Sequence, residues 1–126
     1  MIAPWEELYR LTEQWKKDLS FYEDELHFFE NLLHIYGNQP DNTITLLKDL
    51  VNDSLIQLQS LMIQADQHLA HLGKIIKEND NSEDLLFREE HDILEDNINA
   101  FVQALFHLKQ KLFAAIEQKM HEPARK

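Results

Sequence analysis

The sequence contains no cysteine, two glycines and three prolines among 126 residues. Without thiols, disulfide frameworks, thiolate metal sites and cysteine nucleophiles are excluded. Glycine and proline are the residues that most often interrupt regular structure, so their scarcity favours long helices. The length suits one domain with a substantial core, and we therefore expect a single all-α domain over residues 1–126.

Basic residues are also scarce, since 12 Lys and Arg stand against 23 Asp and Glu and give a net charge of −11. Such a chain repels phosphate backbones and anionic lipid headgroups, so we expect neither nucleic acid nor membrane as a partner. No apolar run approaches the roughly 18 residues of a spanning helix. The start, MIAPWEELYR, lacks the basic segment and apolar core of a signal peptide. We expect a soluble, cytoplasmic protein.

Heptad spacing is the strongest pattern that the sequence does contain. In the first of three segments, Trp5, Leu8, Thr12, Trp15 and Leu19 begin a seam whose spacing alternates between three and four. This spacing is typical of helices that pack as in a coiled coil. We expect helices at about residues 4–36, 43–79 and 83–120, and short connections make neighbours antiparallel. The predicted fold is an elongated antiparallel up-down-up three-helix bundle with coiled-coil-like packing.

Two details of the second helix follow from the same spacing. Its predicted seam, flanked on one side by Leu47, Leu61 and Ile75, consists of Val51, Leu55, Leu58, Met62, Ala65, Leu69, Leu72 and Ile76. Gly73 interrupts this helix, where glycine costs about 1 kcal/mol relative to alanine. The antiparallel register places it level with Trp5, so we expect the missing side chain to make room for that indole. The third seam runs from Phe87 to Ala115.

A polar layer is predicted where Thr12, His68 and His91 fall at nearly one level of the bundle. His71 follows His68 by three residues and Glu95 follows His91 by four, so each pair lies on one side of its helix. One interpretation is a buried, hydrogen-bonded layer that fixes the register of the helices. The other is a divalent metal site made of His68, His71, His91 and Glu95. No other cofactor is expected.

Large apolar residues also lie beside the seams. Phe21, Phe28, Leu32 and Ile35 widen the apolar stripe of the first helix, and Phe106 and Phe113 lie off the third seam, seven residues apart. They are either the flank of a core that serves two neighbouring helices or an exposed strip that binds a second copy or another protein.

The run WKKDLSFYEDELHFFENLL, Trp15 to Leu33, resembles the first helix of small uncharacterised helical proteins from bacteria. In these proteins an aromatic pair precedes an acidic DEL and a further apolar run. The resemblance implies a helical fold and brings no activity with it.

The sequence has no phosphate-binding glycine loop and no motif of a serine hydrolase or zinc protease. We therefore expect a non-enzymatic bundle that acts through protein contacts, as a homo-oligomer such as a homodimer or as an adaptor. The alternative is a divalent-metal-binding bundle that uses the polar layer.

Overall fold

The computed structural model describes residues 3–37, 41–79 and 84–121 of the chain. It contains helices α1 (Trp5–Tyr36), α2 (Asn42–Glu78) and α3 (Asp84–Met120), and no strand occurs in these ranges. Each helix end lies within one residue of its predicted position. With a rise of 1.5 Å per residue, the helices are about 48 to 56 Å long. The prediction of an all-α three-helix fold is confirmed.

The helix ends are set by local capping. Asp41 precedes α2, and its Oδ1 accepts hydrogen bonds from the backbone N–H groups of Thr43 at 2.8 Å and Ile44 at 3.4 Å. Its Oδ2 lies 2.7 Å from Nζ of Lys119 in the last turn of α3. At the other end of α2, Asn79 adopts a left-handed conformation with φ of 51°, which ends the helix. One carboxylate therefore joins the start of α2 to the end of α3.

Gly37 ends α1 at a place where the chain comes close to itself. A Cβ at this position would lie 2.5 Å from the carbonyl oxygen of Leu33 and 2.9 Å from the side chain of Ile44. Both distances are shorter than van der Waals contact, so α1 and α2 approach this turn closely only because residue 37 has no side chain.

The direction of the helices follows from their contacts. Along α1, Lys16 contacts Asp66 of α2 at 2.9 Å, and Glu23 accepts a hydrogen bond from Gln59 at 2.6 Å. The α2 partner moves backward as the α1 residue moves forward, so these helices are antiparallel.

The rings of α1 and α3 pair in the opposite sense. Trp5 contacts Phe87 and Phe29 contacts Phe113, each with ring centroids 5.5 Å apart. Both partners move forward together, so α1 and α3 are parallel and the order is up-down-up. The backbone of α1 approaches α2 most closely and α3 least closely.

The core consists of two clusters of buried apolar side chains. A small cluster contains Leu8, Leu72, Ile75 and Phe87, with Trp5 and Tyr9 packed against it. The larger cluster fills the rest of the bundle, and its fully covered members include Leu19, Leu26, Leu33, Val51, Leu58, Ala65 and Leu112. None of the described helices is long and apolar enough to cross a membrane.

Three details of the predicted packing are wrong. In α2 the flanking residues Leu47, Leu61 and Ile75 are buried, whereas Met62, Leu69 and Ile76 of the predicted seam are only partly buried. The most deeply buried face of α2 is therefore shifted from the predicted seam toward Leu47, Leu61 and Ile75. In α3 the seam ends at Ile116, which is buried more deeply than Ala115.

The third detail concerns Gly73. Trp5 does not fill the space next to it, because a Cβ added there would meet Cε2 of Tyr9 at 3.7 Å. Trp5 packs instead against Phe87, and the guanidinium carbon of Arg88 lies 4.0 Å from the centre of its ring. Since 3.7 Å is an ordinary contact distance, the glycine makes room for no indole.

Candidate functional site

The predicted polar layer is present between the two core clusters. Thr12, His68 and His91 are the buried polar residues of the described chain, with 0%, 8% and 3% of their surface exposed. Thr12 is satisfied within α1, because its Oγ1 donates a hydrogen bond to the carbonyl oxygen of Leu8 at 2.8 Å. His68 and His91 instead form a hydrogen bond with each other.

Nε2 of His68 and Nδ1 of His91 lie 2.9 Å apart. One ring must donate its N–H and the other must accept it, so this hydrogen bond needs at least one unprotonated nitrogen. Aromatic rings cover the pair on both sides. Phe87 stacks on His68 with centroids 4.4 Å apart, and Trp15 of α1 stacks on His91 at 4.7 Å. Side chains of all three helices thus enclose one hydrogen bond.

This environment favours neutral imidazoles. The pKa of His68 is lowered from 6.5 to about 4, mostly by burial and also by the nearby His91 and His71. Burial also lowers the pKa of His91, and Arg88 acts in the same direction, whereas Glu95 and Asp92 oppose the shift. Both rings are therefore largely neutral at pH 7, which suits a bond in which one ring donates and the other accepts.

Each histidine borders a surface cleft. His68 lines a cleft of about 310 Å³ between α2 and α3, together with His71, Glu90 and Ile93. His91 lines a second cleft, of about 190 Å³, with Arg88 and Asp92. The nitrogens that form the hydrogen bond point at each other rather than into a cleft.

The predicted metal ligands are not brought together as a set of four. His71 is exposed and places its ring edge-on against Phe87, with centroids 5.0 Å apart. In residues 3–37, 41–79 and 84–121, no group of three or more His, Asp or Glu side chains could hold a metal ion. The structure thus joins His68 to His91 and leaves His71 and Glu95 outside this contact.

The second candidate is the group of aromatic and aliphatic side chains beside the seams. Five of the six predicted contact residues are more than half exposed: Phe21 61%, Phe28 57%, Ile35 61%, Phe106 54% and Phe113 53%. Leu32 is partly buried and packs against the larger core cluster. The core-flank interpretation is therefore wrong for the five exposed residues and describes Leu32 alone.

These side chains lie on one side of the bundle. On α1, Glu25 stands four residues after Phe21 and three before Phe28, and on α3 Lys109 stands three residues after Phe106 and four before Phe113. Oε1 of Glu25 and Nζ of Lys109 are 2.7 Å apart. The ion pair thus joins the two apolar strips side by side.

A ring contact supports the same arrangement. Phe113 of α3 reaches α1 and meets Phe29 edge to face at 5.5 Å, and Phe28 lies against Phe29 at 5.9 Å. This surface, the α1/α3 face, contains Phe21, Phe28, Leu32, Ile35, Phe106, Phe113 and Met120.

Met120 is the member of the face that the sequence interpretation missed. It is 63% exposed and continues the spacing of seven from Phe106 and Phe113. The same spacing, extended by one heptad, would have identified it.

Comparison of the chain with protein-family models, with curated protein sequences and with solved structures gave no match.

Proposed function

We propose that the protein is a non-enzymatic helical bundle that acts through protein–protein contact at the α1/α3 face, as a homo-oligomer or as an adaptor. The observation that supports this proposal is the continuity of six exposed large apolar side chains along two adjacent helices. Contiguous patches of this kind commonly mark interaction sites. A cytoplasmic location remains a prediction from the sequence.

The size of the face is sufficient for binding. A Phe side chain buries about 150 to 250 Å² when fully covered, and the exposed members of the face retain more than half of their surface. Together they offer roughly 600 Å² of apolar area per chain, at the upper end of the 300 to 600 Å² found for the largest patch of a typical monomer. Covering the face would therefore remove an unusually large apolar area from water.

Exposed residues of α2 provide a matched comparison. Ile56 and Ile63 are 63% and 56% exposed and are also seven residues apart. They are surrounded on their own helix by polar residues: Asn52, Asp53, Gln59, Ser60, Asp66 and Gln67. Single exposed apolar residues of this kind are normal for a protein surface, so they serve as the control.

Light scattering after size-exclusion chromatography tests the proposal. We expect the wild-type chain to associate and the double variant Phe28→Ser/Phe113→Ser to dissociate at least about 100-fold more readily, because two buried rings per chain are lost. The control Ile56→Ser/Ile63→Ser should associate as the wild type does. Equal masses above that of the monomer for the wild type and the Phe28→Ser/Phe113→Ser variant would contradict the proposed face.

The alternative function, divalent metal binding at the polar layer, draws on the buried contact between His68 and His91. A metal ion would have to displace this hydrogen bond to bind both rings through the bonded nitrogens. Thermal unfolding with and without zinc, nickel or iron tests it, since a ligand at 100 times its dissociation constant adds about 2.7 kcal/mol of stability. An unchanged melting temperature would remove this alternative.

A further inference from the structure

We propose that the partner at the α1/α3 face is a second copy of this chain, related by a two-fold axis that crosses the helices at the level of Phe28 and Phe113. The helices of the two copies then run antiparallel across the interface. This inference rests on the proposed function and specifies its partner and geometry.

The arrangement of the face suits such an axis. On α1 the exposed residues Phe21 and Ile35 stand seven residues before and after Phe28, and on α3 Phe106 and Met120 stand seven before and after Phe113. The contact between Phe29 and Phe113 places the two midpoints at nearly the same level. A two-fold axis there brings each end of the apolar strip onto the opposite end of the partner's strip, as an isologous interface requires.

The charges near the face permit self-association despite the acidic composition. The only basic group within the strips, Lys109, is paired with Glu25. The residues that border the face at spacings of three or four are three amides, three acids and one lysine: Asn31, Gln103, Gln110, Asp18, Asp24, Glu117 and Lys17. The cores of stable interfaces are depleted in charged residues, and the net charge of −11 is therefore carried mainly by other surfaces.

The other half of the bundle favours the antiparallel arrangement over a parallel one. Seven and fourteen residues before Phe21, α1 carries Gln14 and Glu7. At the same distances before Phe106, α3 carries Asn99 and Asp92, and all four residues are exposed. In a parallel pair, Glu7 and Asp92 of one copy would lie next to the same acids of the other and repel them. In the antiparallel pair these segments extend past the end of the partner, so only the apolar halves overlap.

The area also agrees with a dimer. Two faces of roughly 600 Å² each give about 1,200 Å² of buried surface, at the lower end of the range for specific protein complexes. The residues at the centre of the proposed interface, Phe28 and Phe113, are aromatic, and aromatic residues in the centre of an interface contribute most of its binding energy.

Distances between spin labels test this geometry, and the absence of native cysteine makes each label unique. The two labelling variants are Glu13→Cys and Gln118→Cys, both at exposed positions. In the antiparallel pair, residues 13 of the two copies are about 45 Å apart along the helix axes and residues 118 about 15 Å. In a parallel pair both separations along the axis are close to zero.

The expected result is therefore a long distance for the Glu13→Cys label and a short one for the Gln118→Cys label, with both lost in the Phe28→Ser/Phe113→Ser background. Short distances at both positions that are lost in this background would overturn the antiparallel pairing and leave the proposed function standing. Distances that persist in this background would place the contact elsewhere and contradict the proposed function as well. A chain that gives no intermolecular distance at 100 times the concentration used for light scattering would rule out the second copy as partner.

Discussion

The two halves of the bundle differ in what lies inside and outside them. The histidine half, from Trp5 to Trp15 of α1 and the residues they contact, has a small apolar cluster and a buried hydrogen bond, and the positions that continue the α1/α3 face are polar. The aromatic half, from Leu19 to Tyr36 of α1 and its contacts, has an uninterrupted apolar core and an apolar surface. One half of the fold thus has a polar contact in its interior, and the other half has an apolar surface that a partner can bind.

The comparison is sharpest at two adjacent rings in the aromatic half. Phe29 is 2% exposed and Phe28 is 57% exposed. We expect Phe29→Ala to lower the free energy of unfolding by about 3 to 5 kcal/mol, because it removes a buried ring and leaves a cavity. Phe28→Ala should change the stability of the monomer by less than about 1 kcal/mol. Urea denaturation at low protein concentration measures both, and equal losses would contradict the burial described for α1.

In the histidine half the largest change in the free energy of unfolding should come from a change in pH. The pKa of His68 is lowered to about 4 in the folded chain, so the unfolded chain binds protons more readily than the folded one between about pH 6.5 and 4. The contribution of His68 is fully present above about pH 6.5 and is lost as the pH falls toward 4, to a total of about 3 kcal/mol. Denaturation of Phe28→Ser/Phe113→Ser at several pH values measures this without interference from association.

The control for the pH effect is His68→Leu/His91→Leu. Replacing both partners leaves no unpaired nitrogen, so stability at pH 7 should stay within about 1 kcal/mol. The dependence on pH between about 6.5 and 4 should become shallower than in the parent protein. His68→Leu alone leaves the His91 nitrogen without its partner and should cost about 1 to 3 kcal/mol. An unchanged pH dependence in the double variant would show that other groups cause it.

The coupling energies of ion pairs in the two regions should differ by less than the stability changes described above. Lys109 and Glu25 of the aromatic half are 26% and 21% exposed, whereas Lys16 and Asp66, near the polar layer, are 42% and 61% exposed. Double-mutant cycles to alanine should give a coupling energy of about 1 kcal/mol for the first pair and at most about 0.5 kcal/mol for the second, since water screens exposed charges. A larger coupling in the exposed pair would contradict this order.

The smallest expected effect is a gain in the histidine half. Gly73→Ala should raise the free energy of unfolding by about 0.5 to 1 kcal/mol, because alanine restricts the unfolded chain and the added Cβ meets only Tyr9, at 3.7 Å. Thermal unfolding measures the change. A loss of stability would mean that the helix needs glycine there after all.

Much of the fold could be predicted because heptad spacing determines helices and their buried stripes. The helix ends agree with the prediction to within one residue, because the heptad spacing stops where Pro4, Gly37 and Asp41 begin or end a helix. The buried layer of Thr12, His68 and His91 was also predicted, because antiparallel helices of known length place these positions at one level.

The remaining details depend on how each helix is rotated about its axis. Spacing defines a stripe but does not say which flank faces a neighbour, so the burial of Leu61 and Ile75 in α2 and the exposure of Phe28 in α1 could not be distinguished beforehand. For the same reason the partner of Gly73 was assigned to Trp5 rather than Tyr9. Spacing and register bring His68, His71, His91 and Glu95 to one level of two helices, whereas the orientation of the imidazole nitrogens decides which of these groups meet.

Asp41 has a consequence for the end of the bundle opposite the histidines. Its hydrogen bond to Lys119 is the main reason that its pKa lies below the usual 3.8, and the N–H groups of Thr43 and Ile44 act in the same direction. When acid protonates this carboxyl group, the first turn of α2 and the last turn of α3 lose a favourable contact in the same event. The protection of amide hydrogens in both turns, relative to their intrinsic exchange rates, should therefore fall over the same range of low pH, and the two segments fray together although nearly eighty residues separate them.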